Sequence, residues 1–207
     1  MVSNIVNIAN QTIKDSNGVK EVKKVNFNTH DIINLMLEAD KYIQADTSEF
    51  ATYFSPTRSG LRDIWSFVKS NITYQEDPPK MEAIKSPAML WDIRVGDCKS
   101  FTLFTASILK NLGVPYRYRF AQYRGHRYPT HVYLVATLDG QDIIMDSVHH
   151  SFDSEEIYEY AHDYDHITKA KRVVEYRLGS LPASNNIGLY IIAGLGLYYF
   201  TNLRARA

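Results

Sequence analysis

Between Cys98 and Val148 the hydrophobic pattern changes its period once, and no other feature limits the fold as much. Phe101, Phe104, Thr105, Ile108 and Leu112 recur at helical spacing, and Gly113 and Pro115 follow as stop signals. Residues 116–123 then alternate aromatic with basic side chains at period two. Residues 130–138 are rich in β-formers, Asp139-Gly140 reads as a hairpin turn, and residues 142–148 pair back. One helix followed by at least three antiparallel strands is an α+β arrangement.

Upstream, Thr29 is read as an N-cap, with Ile32, Ile33, Met36, Leu37 and Tyr42 behind it. A second helix follows Ser55-Pro56-Thr57, with Leu61, Ile64, Trp65, Val68 and Ile72 on its buried face. Asp77-Pro78-Pro79 ends it. Ser86-Pro87 reads as the N-cap and first position of a short helix through Trp91. Residues 1–24 lack the basic and apolar regions of a signal peptide and are expected to form a poorly ordered arm or a short edge element. Residues 154–166 look helical, and 172–178 read as a last strand. The expected layout is an arm (1–24), a domain (25–180), a linker (181–186) and an uncharged apolar run (187–203). As a helix that run spans about 25 Å, at the short edge of a bilayer core. It is expected to enter a membrane, with Tyr198 and Tyr199 at the interface.

Lys+Arg and Asp+Glu both number 23 in 207 residues, which argues against a general polyanion binder, and no specific nucleic-acid partner is expected. Charged residues at 22% and hydrophobic residues at 45% rule out wholesale disorder. The single cysteine excludes an intramolecular disulfide and a multi-cysteine zinc site. Cys98 is then either a small buried hydrophobe or a reactive thiol. Its place after Gly96-Asp97, at a helix start, favours the thiol, because the nucleophile is the thiolate and a helix N-terminus carries about half a positive charge.

Such a thiol needs an imidazole, and the imidazole needs an orienting group. A turn at 139–140 pairs positions whose numbers sum to about 279. His131 then faces position 148, within two residues of Asp146 and of the same parity. A carboxylate and an imidazole can therefore share one face of the sheet.

Gly96-Asp97-Cys98-Lys99, Leu112-Gly113-Val114-Pro115, His131-Val132-Tyr133 and Met145-Asp146-Ser147 together resemble the transglutaminase-like superfamily of papain-type Cys-His-Asp enzymes. Ile72-Thr73-Tyr74 and Ile84-Lys85-Ser86-Pro87 are similar to its small bacterial and phage members. The resemblance covers about residues 57–150. It implies a papain/transglutaminase-like core with Cys98 as nucleophile, His131 as general base and acid, and Asp146 as the orienting carboxylate. It also implies acyl transfer at an amide through a thioester, with no cofactor and no metal.

The Cys98 backbone N–H is the expected oxyanion donor. The resemblance suggests a tryptophan as a second donor. Trp91 is the weak candidate, with a core role as its alternative, and Trp65 is read as core. Asp97, Arg124 and Tyr133 are weak substrate-binding candidates: Arg124 belongs to a basic, aromatic hairpin tip just before His131. The alternative for this region, which includes Tyr116-Arg117-Tyr118-Arg119-Phe120, is a strand with one solvated arginine face and a hairpin tip. His162 and His166, with His149-His150, suggest a metal, but a solvated acidic segment explains them as well.

The reading is a cysteine peptidase or amidase acting on a peptide, protein or peptidoglycan-stem amide, with transamidation open. Two alternatives stay open: an inactive scaffold of the same fold at a membrane or phage particle, and a nucleic-acid or sugar-binding module using the Arg/Tyr strand. The expected location is a membrane, with the domain on its reducing, cytosolic side, or a virion.

Overall fold

The computed structural model describes residues 2–15, 21–26, 28–167 and 171–177. The elements run α1 (Val2–Thr12), β1 (Glu21–Val25), α2 (Thr29–Ala39), α3 (Arg58–Asn71), β2 (Thr73–Tyr74), β3 (Met81–Lys85), α4 (Pro87–Ile93), β4 (Val95–Gly96) and α5 (Cys98–Asn111). Then come β5 (Tyr116–Gln122), β6 (His131–Leu138), β7 (Gln141–Met145), β8 (Tyr158–Asp165) and β9 (Lys171–Arg177). Two 3-10 turns, Ile43–Thr47 and Phe50–Tyr53, link α2 to α3. This is the expected α+β fold: helices first, then a five-stranded antiparallel sheet in the order β7-β6-β5-β8-β9.

α5 is the centre of the core. Every side chain from Cys98 to Leu109 is buried, because β6 covers one side and α3 and α4 cover others. Thr102 and Ser107 tolerate this burial by hydrogen bonding: Thr102 Oγ1 donates to the Val132 carbonyl at 2.9 Å, and Thr47 Oγ1 donates to Ser107 Oγ at 2.9 Å. Beside α5, Trp91 stacks on Phe67 with ring centroids 5.1 Å apart, and Phe50 and Phe104 complete an aromatic layer.

The local signals act as they read, with one shift. Ser86 caps α4 with Pro87 as its first residue, and Thr57 caps α3. The cap of α2 is Asn28 rather than Thr29, because Asn28 and Asp31 form a reciprocal capping box. Asp139 and Gly140 both take positive φ, at 51° and 75°, as the tight hairpin turn requires. The β6–β7 register pairs Leu134 with Met145, the predicted sum of 279.

Two readings are corrected. Residues 2–12 of the expected arm form helix α1, because Ala9 and Ile13 lie four apart and bury against the core while Ile5 and Ile8 pack at its edge. Glu21–Val25 is in keeping with the other expectation, a short edge element: it pairs antiparallel with β3. The expected helix at 154–166 is strand β8 between β5 and β9. Its periodicity was hidden because an inward position carries Asp163, which is buried against arginines rather than against apolar groups.

Those arginines are not a solvated face. Arg119 binds both oxygens of Asp163 at 2.7 Å and Glu155 at 2.7 Å, and Arg117 binds Asp163 at 2.8 Å. Glu155 comes from the loop between β7 and β8, and Arg117 also binds Asp142 of β7. No helix among the described residues is long and apolar enough to cross a membrane. The apolar run 187–203 and the linker 181–186 lie outside the described residues.

Candidate active site

Cys98 is the first residue of α5, and Asp97 is its N-cap, accepting from the Ser100 N–H at 3.2 Å. The first N–H groups of a helix have no intrahelical acceptor, so the backbone at Cys98 faces outward as a donor. The strand pair β2–β4 fixes the approach to the helix: Tyr74 pairs with Gly96 in parallel, and the Gln75 N–H donates to the Gly96 carbonyl at 2.9 Å. Gly96 is closely packed on both sides. A Cβ there would sit 2.5 Å from Leu90 Cδ1 and 3.0 Å from Ser100 Cβ.

His131 opens β6, opposite Ala121 of β5. Asp146 is the residue after the last rung of β7. The two meet where the hairpin outruns its ladder: His131 Nε2 lies 2.7 Å from Asp146 Oδ2. A carboxylate only accepts, so Nε2 carries the hydrogen and Nδ1 is left for the Cys98 thiol, to which the imidazole is also hydrogen-bonded. Burial works against an imidazolium here. The bonds and charges of Asp146 and Cys98 outweigh it and push His131 up to about 10. The other oxygen of Asp146 accepts the backbone N–H groups of Val148 at 3.0 Å and His149 at 3.3 Å.

Cys98, His131 and Asp97 line a cleft of about 390 Å³ whose walls also include Tyr74, Glu76, Glu82, Phe120 and Thr130. Tyr74 is 40% exposed, with its ring edge-on to Phe101. Partial burial and the negative groups Cys98, Glu76 and Asp97 raise its pKa, so it stays a neutral hydroxyl donor. The buried Lys99 ammonium closes the same wall. It bonds Glu82 at 2.6 Å, Asp77 at 3.2 Å and Asp97. Burial penalises its charge, but Asp97, Cys98 and Glu82 more than compensate, and its pKa is raised. Asp77, Glu82 and Asp97 are also the carboxylates that, among the described residues, come close enough to share a metal ion; here Lys99 lies among them.

The structure therefore brings Cys98, His131 and Asp97 to one cleft, with Asp146 buried behind His131. It places the other sequence candidates elsewhere. Trp91 lies in the aromatic layer beneath α5, with Arg94 over its ring at 3.2 Å, and does not line the cleft. Tyr133 shares the face of β6 with His131, their rings 5.5 Å apart, but it is buried further along the strand, donates to Glu155 at 2.6 Å and does not line the cleft. Arg124 is exposed at the tip of the β5–β6 loop and is not among the cleft residues. His162 lies on β8, and His166 stacks on Tyr116 at 3.9 Å and bonds its carbonyl. Tyr74, Lys99 and the carboxylates Glu76, Asp77 and Glu82 are cleft residues that sequence reasoning did not single out.

The sequence profile of the Transglutaminase-like superfamily matches residues 44–147, half of the chain. The chain belongs to the transglutaminase-like superfamily. The matched segment runs from the first 3-10 turn through Cys98 and His131 to the residue after Asp146. No curated protein matches the sequence. Among solved structures, a candidate cysteine protease from Cytophaga hutchinsonii is similar at 19% identity and a TM-score of 0.41, over 59% of this chain and 43% of that one. This transglutaminase-like chain thus spans less than half the length of the Cytophaga protein. LapG of Legionella pneumophila is similar at 18% identity and a TM-score of 0.37, over 77% of this chain and 82% of LapG.

Proposed function

We propose that this transglutaminase-like domain is a cysteine-dependent amide hydrolase or acyl transferase acting on a peptide or protein. What supports the reading is the meeting of Cys98, at the first turn of α5, with His131 in one cleft, and the bond from His131 to Asp146 at 2.7 Å behind it. The Cys98 thiolate attacks the amide carbonyl carbon. The oxyanion that forms is met by the Cys98 N–H, with the Tyr74 hydroxyl as a second donor. His131 gives the proton from Nδ1 to the departing amine nitrogen, the C–N bond breaks, and a thioester remains on Cys98. Water, deprotonated by His131, then attacks the thioester, releasing the acid and the thiol. An amine in place of water yields a new amide.

Glu76, Asp77, Glu82 and Asp97 face the cleft with Lys99 as their matching cation, so the wall is net negative. That charge favours a substrate with a positive side chain beside the scissile amide. The chemistry needs a reduced thiol, which fits a reducing compartment.

The test is the pH dependence of Cys98 alkylation by iodoacetamide, in the protein and in His131→Ala. The reading expects fast alkylation that persists well below pH 8 and is lost without His131. Slow alkylation that follows an ordinary thiol near 8.5 and ignores His131 would instead make this an inert scaffold.

A further inference from the structure

Asp146 has no strand partner. The β6–β7 ladder ends at Leu134–Met145, and the chain leaves the sheet at the residue that must orient His131. Something other than the sheet therefore holds its backbone. The Asp146 carbonyl accepts the Trp65 indole N–H at 2.6 Å. The next two carbonyls, of Ser147 and Val148, accept from Lys69 Nζ at 3.5 and 3.2 Å. Trp65 and Lys69 lie one turn apart on α3, and the Lys69 ammonium sits 5.6 Å from the Trp65 ring. Further along the loop, Phe152 packs edge-on to Trp65 at 6.1 Å. Trp65 is half-buried and outside the cleft, and its indole nitrogen is spent on a carbonyl rather than on packing.

We infer that Trp65 and Lys69 are positioning residues for the proposed reaction: they clamp the carbonyls of 146–148 so that the Asp146 carboxylate meets His131. The inference rests on the function proposed above and concerns what holds its orienting group in place. A carboxylate that drifts from Nε2 no longer supports the imidazolium, and the effect shows most at low pH, where the thiol depends on that pair. The charged and titratable groups that face the pair are Cys98 of α5, with Asp97 and Lys99 beyond it, Tyr133 of β6 and Tyr123 after β5. Glu155 and Glu156 lie beyond Tyr123, and Lys69 approaches from α3. Trp65→Phe leaves every one of these charges in place and removes one N–H.

The experiment is the ratio of Cys98 alkylation rates at pH 6 and pH 9 in the full chain. Trp65→Phe is expected to lower that ratio about 3- to 10-fold, the worth of one hydrogen bond, with the pH 9 rate unchanged. Lys69→Gln keeps an N–H donor without the charge, and Lys69→Met has neither. The glutamine variant is expected to keep the higher ratio, and this pair decides the matter if Trp65→Phe does not fold. A wild-type ratio in Trp65→Phe, or equal ratios in the two Lys69 variants, overturns the inference. If the wild-type rate at pH 6 does not depend on His131, the failure belongs to the proposed function instead.

Discussion

Asp146→Asn separates the charge of the orienting group from its hydrogen bonds. The asparagine side chain keeps an oxygen for Nε2–H or for the Val148 and His149 amides, so the local geometry has a route to survive. The negative charge does not survive. His131 stands at about 10 in the folded protein against an ordinary 6.5, which corresponds to roughly 5 kcal/mol of preference for the imidazolium. After the opposing cost of burial, the bond to Asp146 leads the causes, and an opposite charge at this range is worth about 1–3 pH units. The variant should therefore lower the imidazole pKa by that amount, read by NMR titration of the His131 ring. Because the folded value is raised, the stabilisation is complete below about pH 6.5 and is lost as pH rises through about 10. Urea denaturation should then show the variant to be about 1–4 kcal/mol less stable than wild type at pH 6, with the gap closing towards pH 10. An unchanged His131 titration, or a stability gap independent of pH, would refute the claim that Asp146 acts through its charge.

Three further outcomes follow from the packing. Cys98→Ala should abolish alkylation and turnover while changing stability by only about 1 kcal/mol in urea unfolding, because the side chain is small. Gly96→Ala should cost about 1–3 kcal/mol in the same assay, since its Cβ would press on the fully buried Leu90. Arg119→Met leaves Glu155 and Asp163 buried without their shared cation and should cost about 3–5 kcal/mol at pH 7. Burial raises the Asp163 carboxyl, but Arg119 and Arg117 win and lower it. The contribution of Arg119 should therefore fade as pH falls through the folded-state value, shown by a shrinking gap between wild type and variant in acid.

The parts of the fold that the sequence disclosed are those governed by local chemistry. A proline after a serine, an Asp-Gly turn and a stripe of phenylalanines each act within a few residues, and Asp139-Gly140 alone set the register that brings Asp146 near His131. What stayed hidden depends on partners far away in the chain. β8 looked helical because the match of Asp163 to Arg117 and Arg119 is made across strands, 44 to 46 residues apart. Trp65 looked like core because a tryptophan on an apolar stripe gives no sign of a carbonyl 81 residues downstream. Trp91 illustrates the reverse: its position seven residues before Cys98 suggested the site, yet the stack with Phe67 holds it in the core. Lys99 was legible only as part of a motif, since its three carboxylate partners come from two separate segments and from its own helix cap.

The burial of α5 along its length divides the labour of sequence change. The residues of α5 behind Cys98 fill the centre of the core, so drift along the helix that aims the nucleophile is held in check by folding itself, while Cys98 is held by its chemistry. The rims of the cleft are under no such check. The segment 75–80, which brings Glu76 and Asp77 to the cleft, is largely exposed and carries little of the core. New substrate preferences can accumulate there while the chemistry beneath is inherited unchanged.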